Sequence, residues 1–347
     1  MRILQVVDGY GWGGTKEQVY LLTRELKKRN IDVEIALSFQ YKEMVEKLKP
    51  YNVKTHFFEN HIKNARYRWE NYKRLIKIID NGNFNIVIAN SPHAFDYVRI
   101  AKLFLKTNPK IINVKRSGRI PSFLSKYLKY SAADKIVVVS KKVKEKLEKE
   151  KFFPEKLITI ESGIEINKFK NVNKLKEEIR KNLNLPLNAK IFVNVANWNP
   201  EVKAQDKLIE TFSKLNCDNC FLLLVGLETD IKAKELAQKF GIENKVRGLG
   251  FRKDIPEILH ASDFFVLSSN LEGIAGALLQ AMASGKVVLS TLAGGIDEYL
   301  KDGYNGFSVP VGDFDAFKNK MQFLLNLSDE EYKNTASNAV KTAENYS

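Results

Sequence analysis

The sequence predicts an α/β protein made of two doubly wound parallel sheets facing each other across a cleft. Three observations carry that expectation. Short β-rich runs alternate with amphipathic helical stretches, the pattern of strand–helix–strand winding. Runs such as Val137-Val138-Val139 are apolar without alternation, as in strands covered on both faces. The series also halts once, around residues 165–170, and then begins afresh. A chain of 347 residues suits two such domains, at about 100–200 residues each.

In order, strands are expected at residues 3–7, 33–37, 53–57, 85–89, 111–114 and 135–139. The first helix should cover 15–28, with Val19, Leu22 and Leu26 on its apolar side. Residues 161–170 hold a glycine and no clear period, and 171–186 are polar and highly charged. The second series is expected at 191–196, 221–225, 245–249, 264–267 and 287–290. We therefore expect a first domain over 1–166, a second over 167–328 and a terminal helix over 329–347. Whether that helix crosses back to the first domain is left open by the sequence.

Composition narrows the function. There are 56 Lys+Arg against 41 Asp+Glu, a formal net charge of +15. Residues 1–150 hold 31 basic and 15 acidic side chains, so the whole surplus lies in the first half. That asymmetry points to an anionic partner for the first domain, such as nucleic acid, an anionic membrane or a phosphorylated substrate. A plainly solvated Lys-rich surface is the alternative. No apolar run is long enough for a spanning helix and no signal peptide is evident, so a cytoplasmic protein is expected. Cys217 and Cys220 lack the further ligands of a zinc site and the strand–helix setting of a redox site, so they read as incidental thiols.

Three clusters could carry chemistry. Asp8-Gly9-Tyr10-Gly11-Trp12-Gly13-Gly14 sits at a strand-to-helix turn, where free amides and the helix dipole favour a phosphate. Gly9, Gly11 and Gly14 formally satisfy the dinucleotide glycine pattern. The acidic residue that pattern needs after the second strand is missing from Leu37-Ser38-Phe39-Gln40, which speaks against a dehydrogenase. The second cluster is Leu267-Ser268-Ser269-Asn270-Leu271-Glu272-Gly273, followed by a small-residue helix expected from 274. Glu272 and Gln280, eight apart, would line one broad side of that helix. The amides of Gly273, Ile274, Ala275, Gly276 and Ala277 would point at an anion between them. The third is Ala196-Asn197-Trp198-Asn199-Pro200-Glu201-Val202-Lys203, where a Lys at the turn could reach a phosphate. Taken singly, Glu272, Gln280 and Lys203 are more often plain surface groups.

In this order the clusters resemble the retaining glycosyltransferases of family 4. Four stretches carry the resemblance: Gly13-Gly14 with residues 21–33, ITIESGIEINKF at 158–169, residues 197–208, and 261–313 with its long A-S-D … E-G … A-M-A-x-G … G-G-x-x-E signature. The resemblance implies the two-Rossmann-domain GT-B fold and transfer of a hexose-type sugar from a nucleotide diphosphate sugar, without a metal or other cofactor. It also implies that the donor is held chiefly by the second domain. Gly13 and Gly14 would meet the distal phosphate, and Lys203 would neutralise the departing diphosphate. Glu272 would hold sugar hydroxyls beside the amides at 274–277, and Gln280 would contact the ribose. Backbone groups near Gly226 and at residues 247–251, ending at Phe251, would face the base.

This chain departs from the family in three places. Gln280 replaces the second Glu of a pair, Asn197 replaces an Arg, and Val114-Lys115-Arg116-Ser117 stands where a His is usual. Arg116 is expected to supply charge missing at 197, and His93 is a further catalytic candidate. The expected acceptor is a lipid-linked or cell-surface glycan of lipopolysaccharide, capsule or glycolipid type. Lys63, Arg66, Arg68, Lys73 and Arg74 are candidates to lie on an anionic bilayer at the cytoplasmic face. A nucleotide-sugar epimerase, a degenerate sugar-nucleotide-binding scaffold and a nucleic-acid binder are weaker readings. The basic residues lack the interleaved aromatics of a known nucleic-acid module. Asp313-Phe314-Asp315 reads as a helix N-cap rather than a metal site.

Overall fold

The computed structural model describes residues 1–116 and 118–347, and of Leu124 the backbone alone. The chain forms two compact units, Met1–Glu161 and Ser162–Ser347, so the division falls a few residues before the expected 166.

The first unit holds seven strands: β1 (Arg2–Val6), β2 (Asp32–Ser38), β3 (Thr55–Glu59), β4 (Ile86–Ala89), β5 (Lys110–Lys115), β6 (Lys135–Val138) and β7 (Leu157–Thr159). They lie in the order β3-β2-β1-β4-β5-β6-β7, every ladder parallel. The second unit holds β8 (Lys190–Val195), β9 (Cys220–Val225), β10 (Val246–Gly248), β11 (Phe264–Leu267), β12 (Val287–Thr291) and β13 (Phe307–Val309). Their order is β10-β9-β8-β11-β12-β13, again all parallel. Helices cover both faces, which is why a strand such as CFLLLV of β9 is apolar and buried at every position. In each sheet the winding reverses beside the first strand, at β1/β4 and at β8/β11. Crevices beyond the carboxyl ends of such neighbours are where open α/β sheets take ligands.

Two features set the second unit's frame. Asp263, which opens β11, accepts from Arg180 Nη2 at 2.8 Å, Lys176 Nζ at 2.6 Å and the Ile191 amide of β8 at 2.7 Å. Burial pushes the Asp263 carboxyl up, but the Ile191 amide and the Lys176 and Arg180 cations outweigh it and leave it below the usual range. The Asp of the A-S-D motif thus ties the starts of two central strands together. The helix Gly276–Ala283 buries Leu278, Leu279, Ala281, Met282 and Ala283. It packs on the terminal helix Asp329–Glu344, whose Ala339 and Ala343 are fully buried in the same core and allow close approach. Ser328 and Glu331 form a capping box at that helix's start. The terminal helix is part of the second unit.

One expectation changes and one is met. Cys217 and Cys220, read as incidental thiols, are joined in a disulfide across the turn into β9. Asp313 is an N-cap as expected, its Oδ1 accepting from the Ala316 amide at 2.9 Å.

Candidate active site

The carboxyl ends of β8 and β11, neighbours at the reversal of the second sheet, each lead into a loop carrying one charged candidate. After β8 the chain turns through Asn197 and Trp198 into the short helix Pro200–Lys203, capped by Asn199 and stopped by Ala204 in the left-handed region (φ 50°). After β11 it runs through Ser268 and Ser269 to Glu272. Lys203 Nζ and Glu272 Oε1 meet at 2.6 Å, and Ser269 Oγ donates to the same oxygen at 2.6 Å. The carboxylate side chain is 9% exposed and the lysine side chain 26%, so the pair is sheltered with its cationic side nearer water.

The two loops are knitted by their backbones. The amides of Asn270 and Leu271 donate to the Val202 carbonyl at 2.9 and 3.2 Å, and Ser268 Oγ donates to the Lys203 carbonyl at 2.9 Å. Thr291 at the end of β12 donates to the Ser269 carbonyl at 2.6 Å. On the far side, Gly294 and Gly295 lock the Glu272 loop. A Cβ at Gly294 would stand 2.2 Å from the Glu272 carbonyl oxygen, and the Gly295 amide donates to Gly273 at 2.9 Å. Buried Tyr299 donates from its hydroxyl to the Ile274 carbonyl at 2.8 Å. Charge, backbone and shape therefore all converge on one carboxylate.

Glu272 and Gln280 do not share a helix, contrary to the sequence reading. The helix starts at Gly276, because Ala275 adopts φ 49° and breaks the helical path there. Glu272 lies four residues upstream, in the loop. Of the five expected amides, those of Gly273, Ile274 and Ala275 belong to the loop, while Gly276 and Ala277 open the helix. Gln280 is half-buried in its middle. A left-handed alanine is mildly strained, and such strain tends to persist where the surroundings hold a functional loop in place.

Asn197 is exposed. Its Oδ1 accepts from the Leu227 amide at 3.0 Å, linking the turns that follow β8 and β9. Gly226 makes that approach possible: a Cβ there would stand 2.2 Å from the Ala196 carbonyl oxygen. Phe251, after β10, is 37% exposed, in the turn entered through Gly250. Lys203, Glu272, Asn197, Gly226 and Phe251 thus all follow carboxyl ends of the second sheet's strands.

The remaining candidates belong to the first unit. Gly13 is extended and its carbonyl accepts from Lys16 and Glu17, while Gly14 opens the helix Gly14–Lys28. A Cβ at Gly14 would meet nothing within 4 Å, so this turn faces open space. Lys16, which the sequence reading passed over, donates from Nζ to the Asp8 carbonyl at 2.5 Å. Burial pushes its ammonium down, against the pull of Asp8 and Glu59. A lysine two residues beyond a Gly-Gly turn was the available signal. His93 is exposed, and Arg66 Nη1 donates to its Nδ1 at 2.8 Å. Arg116 follows β5, its buried Nε without a hydrogen-bond partner among the described residues, and burial pushes the guanidinium down to about 10. Ser117, the last residue of that stretch, lies outside the described residues. Among the described residues no group of acidic, His and Cys side chains is arranged to hold a metal, and no helix is long and apolar enough to cross a membrane.

Two parallel sheets joined in series, with an ion pair at the reversal of the second, define a two-domain α/β protein of GT-B architecture. Family models match along nearly the whole chain, the Glycosyltransferase Family 4 model over residues 12–168 and the Glycosyl transferases group 1 model over 175–342. The chain belongs to glycosyltransferase family 4.

Its relatives include a lipopolysaccharide core biosynthesis glycosyltransferase, LpsE, of Rhizobium meliloti, 30% identical over 160 residues and covering 46% of each chain. A second is the UDP-Gal:alpha-D-GlcNAc-diphosphoundecaprenol alpha-1,3-galactosyltransferase of Escherichia coli. It is 30% identical over 195 residues, 53% of this chain and 48% of that one. The chain thus spans about half the length of these curated relatives. Among solved structures, Anabaena Alr3699/HepE in complex with UDP and glucose superposes with a TM-score of 0.85 at 21% identity. The match covers 100% of this chain and 95% of that one. A glycosyltransferase of Rickettsia africae gives 0.82 at 24% identity, over 99% and 93%. These likenesses are of fold.

Proposed function

We propose that the protein is a retaining glycosyltransferase of cell-envelope glycan synthesis. It would move a hexose-type sugar from a nucleotide diphosphate sugar to a lipid-linked or cell-surface glycan acceptor, without a metal. The observation that carries this reading is the Lys203–Glu272 pair at the carboxyl ends of β8 and β11. Donor binding would draw Lys203 towards the diphosphate, leaving the Glu272 carboxylate to accept from sugar hydroxyls. In the transfer the anomeric carbon–oxygen bond to the diphosphate breaks, and the diphosphate leaves with the electron pair. The acceptor hydroxyl oxygen bonds to the same face of that carbon, and its proton passes to the departing phosphate oxygen. Negative charge builds on the leaving group and positive charge on the sugar, so a fixed cation beside a fixed carboxylate suits both.

Asn197 and Gly226 would position the donor's nucleotide with Phe251, Gln280 would meet its ribose, and the amides from Gly273 to Ala277 would add donors to anionic oxygens. Gly13, Gly14 and Arg116 would contribute further to anion binding, and His93 to the acceptor side. The named relatives acting in lipopolysaccharide and undecaprenyl-linked synthesis support a cell-envelope acceptor, and the basic first unit supports work at an anionic membrane surface. The test is a thermal-shift screen against UDP-, GDP-, ADP- and TDP-sugars, followed by a transfer or hydrolysis assay on whichever binds. Stabilisation by at least one donor, lost in Lys203→Ala, is expected. Stabilisation by none would favour a scaffold that has lost donor binding.

A further inference from the structure

Exposed large apolar side chains of the first unit gather in a few places, and one of them is set among cations. Within ten residues, Ile120, Phe123, Tyr127 and Leu128 all stand in solvent, Phe123 at 76% and Leu128 at 65% exposure. Phe123 and Tyr127 pack edge-on with ring centres 4.8 Å apart. The turn that carries them is firmly seated. Tyr130 is buried against Phe95 and Phe152, and Lys129 Nζ donates to the Pro92 carbonyl at 2.7 Å and to Asp96 at 2.8 Å. Scattered surface apolar residues need no explanation, but four together on an anchored turn mark a contact surface.

Charge names the partner. Residues 115–151 hold twelve Lys and Arg against four Asp and Glu. Lys115 is nearly buried and donates from Nζ to the Arg119 carbonyl at 2.6 Å. Burial, and then the cations Arg119, Lys146 and Lys129, push its ammonium down to about 8. The Gly118 turn lies on the helix Lys141–Lys149, where a Cβ would stand 3.5 Å from Val143 and 3.9 Å from the Lys146 side chain. Arg119, Lys115 and Lys146 therefore gather at the Gly118 turn, which leads directly into the apolar side chains. A nucleic acid would use the aromatic rings but has no use for exposed Ile120 and Leu128. Apolar tips flanked by basic side chains match the boundary between acyl chains and phosphate headgroups.

We propose that residues 119–128 form a wedge that docks the first unit on an anionic phospholipid surface. Ile120, Phe123, Tyr127 and Leu128 enter the headgroup–acyl boundary, while Arg119, Lys126 and Lys146 meet lipid phosphates. The wedge is distinct from the Lys63–Arg74 basic residues expected from the sequence. It rests on the reading of a lipid-linked acceptor for its purpose, although its binding step needs neither donor nor acceptor.

The experiment is co-sedimentation of the full chain with vesicles of phosphatidylcholine alone or with about 30% phosphatidylglycerol. The native chain should partition at least about tenfold better onto the anionic vesicles. Phe123→Ser with Leu128→Ser should lower that partition about tenfold or more, and Arg119→Glu by several-fold with a weaker salt dependence. Circular dichroism melts confirm that these exposed-site variants fold. Millimolar inorganic phosphate should not displace the protein; full displacement would mean a phosphate site without a lipid surface and would overturn the proposal. Equal binding to neutral vesicles, native-like binding of the double serine variant, or loss of binding only on reversing Lys63 and Arg68 would also overturn it. Donor thermal shifts measured on the same variants report separately: their absence with retained vesicle binding counts against the transferase reading alone.

Discussion

Replacing Glu272 by Gln separates what this carboxylate does for the fold from what it does for a sugar. The substitution keeps size and shape and removes one charge. Glutamine can still accept from Ser269, but its contact with Lys203 becomes a bond to a neutral oxygen. Hydrogen bonds to charged groups contribute about 1.5–3 kcal/mol and neutral ones about 1 kcal/mol, so the local loss is about 1–2 kcal/mol. Breaking a fully buried pair costs about 3–5 kcal/mol because it strands a charge. Here Lys203 keeps 26% of its side chain in solvent and can turn to water, which holds the cost at the lower figure. At about 2–4 °C per kcal/mol for a unit of this size, Tm should fall by roughly 2–8 °C. The catalytic effect should be larger. If Glu272 accepts from sugar hydroxyls in the transition state, losing the ionised acceptor removes about 1.5–3 kcal/mol, or about 10–150-fold in kcat/KM. The assay is donor turnover at saturating and limiting donor, beside a thermal melt of the same preparation. A kcat/KM within about threefold of native, together with the expected drop in Tm, would leave Glu272 a structural residue and refute the proposed role.

Arg116→Ala should weaken anion-dependent steps, lowering donor affinity or turnover by about tenfold, since a guanidinium whose buried Nε has no hydrogen-bond partner among the described residues gains most when an anion arrives; unchanged kinetics would assign it to the fold. Gly294→Ala should lower stability by several kcal/mol, on the order of other strained backbone replacements, because its Cβ would collide with the Glu272 carbonyl at 2.2 Å and the residue sits at φ 66°. Denaturant melts of that variant with an unshifted midpoint would show that the loop can yield. Lys286 donates to the carbonyls of His260 and Ser262, and burial, then Lys176 and Arg180 against the pull of Asp263, push its ammonium down to about 8. Between pH about 8 and about 10.5 the unfolded chain holds a proton there that the folded chain has released, so this group makes stability rise with pH, by on the order of 3 kcal/mol across that window. Chemical denaturation of native protein and Lys286→Met at pH 8 and 10 reads the difference, and parallel pH dependences would contradict it.

How much of this could be read in the amino-acid string depended on the distance over which each feature is decided. Long apolar runs settle their own state, which is why β1, β2, β8, β9, β11 and β12 fall within a residue or two of expectation. β7 and β13 are three residues each and were passed over. They sit at sheet edges beside Gly163, Gly306 and polar neighbours, and they are strands only because β6 and β12 supply hydrogen bonds. The disulfide is not legible from the zinc and redox motifs on which the incidental-thiol expectation rests; only the folded turn sets the Cα atoms of Cys217 and Cys220 5.7 Å apart.

The candidate site divides along the same line. Its glycines are legible as residue types, since a motif glycine marks a backbone that another chain segment must approach, as Gly226 and Gly294 do. The pairing of Lys203 with Glu272 spans 69 positions and is decided by two loops leaving neighbouring strands, so no local pattern could announce it. The same holds for the misplaced helix start. From 274 to 283 the sequence is helix-compatible apart from Gly276, so intrinsic preference alone would begin the helix at 274. What delays it is tertiary: the Gly295 amide and the Tyr299 hydroxyl take the carbonyls of Gly273 and Ile274, groups that a longer helix would have used internally. The loop that holds the carboxylate away from the helix is therefore made by residues more than twenty positions downstream. Variants at Tyr299 should alter the reactivity of Glu272 without touching it, with Tyr299→Phe removing the one bond while keeping the ring.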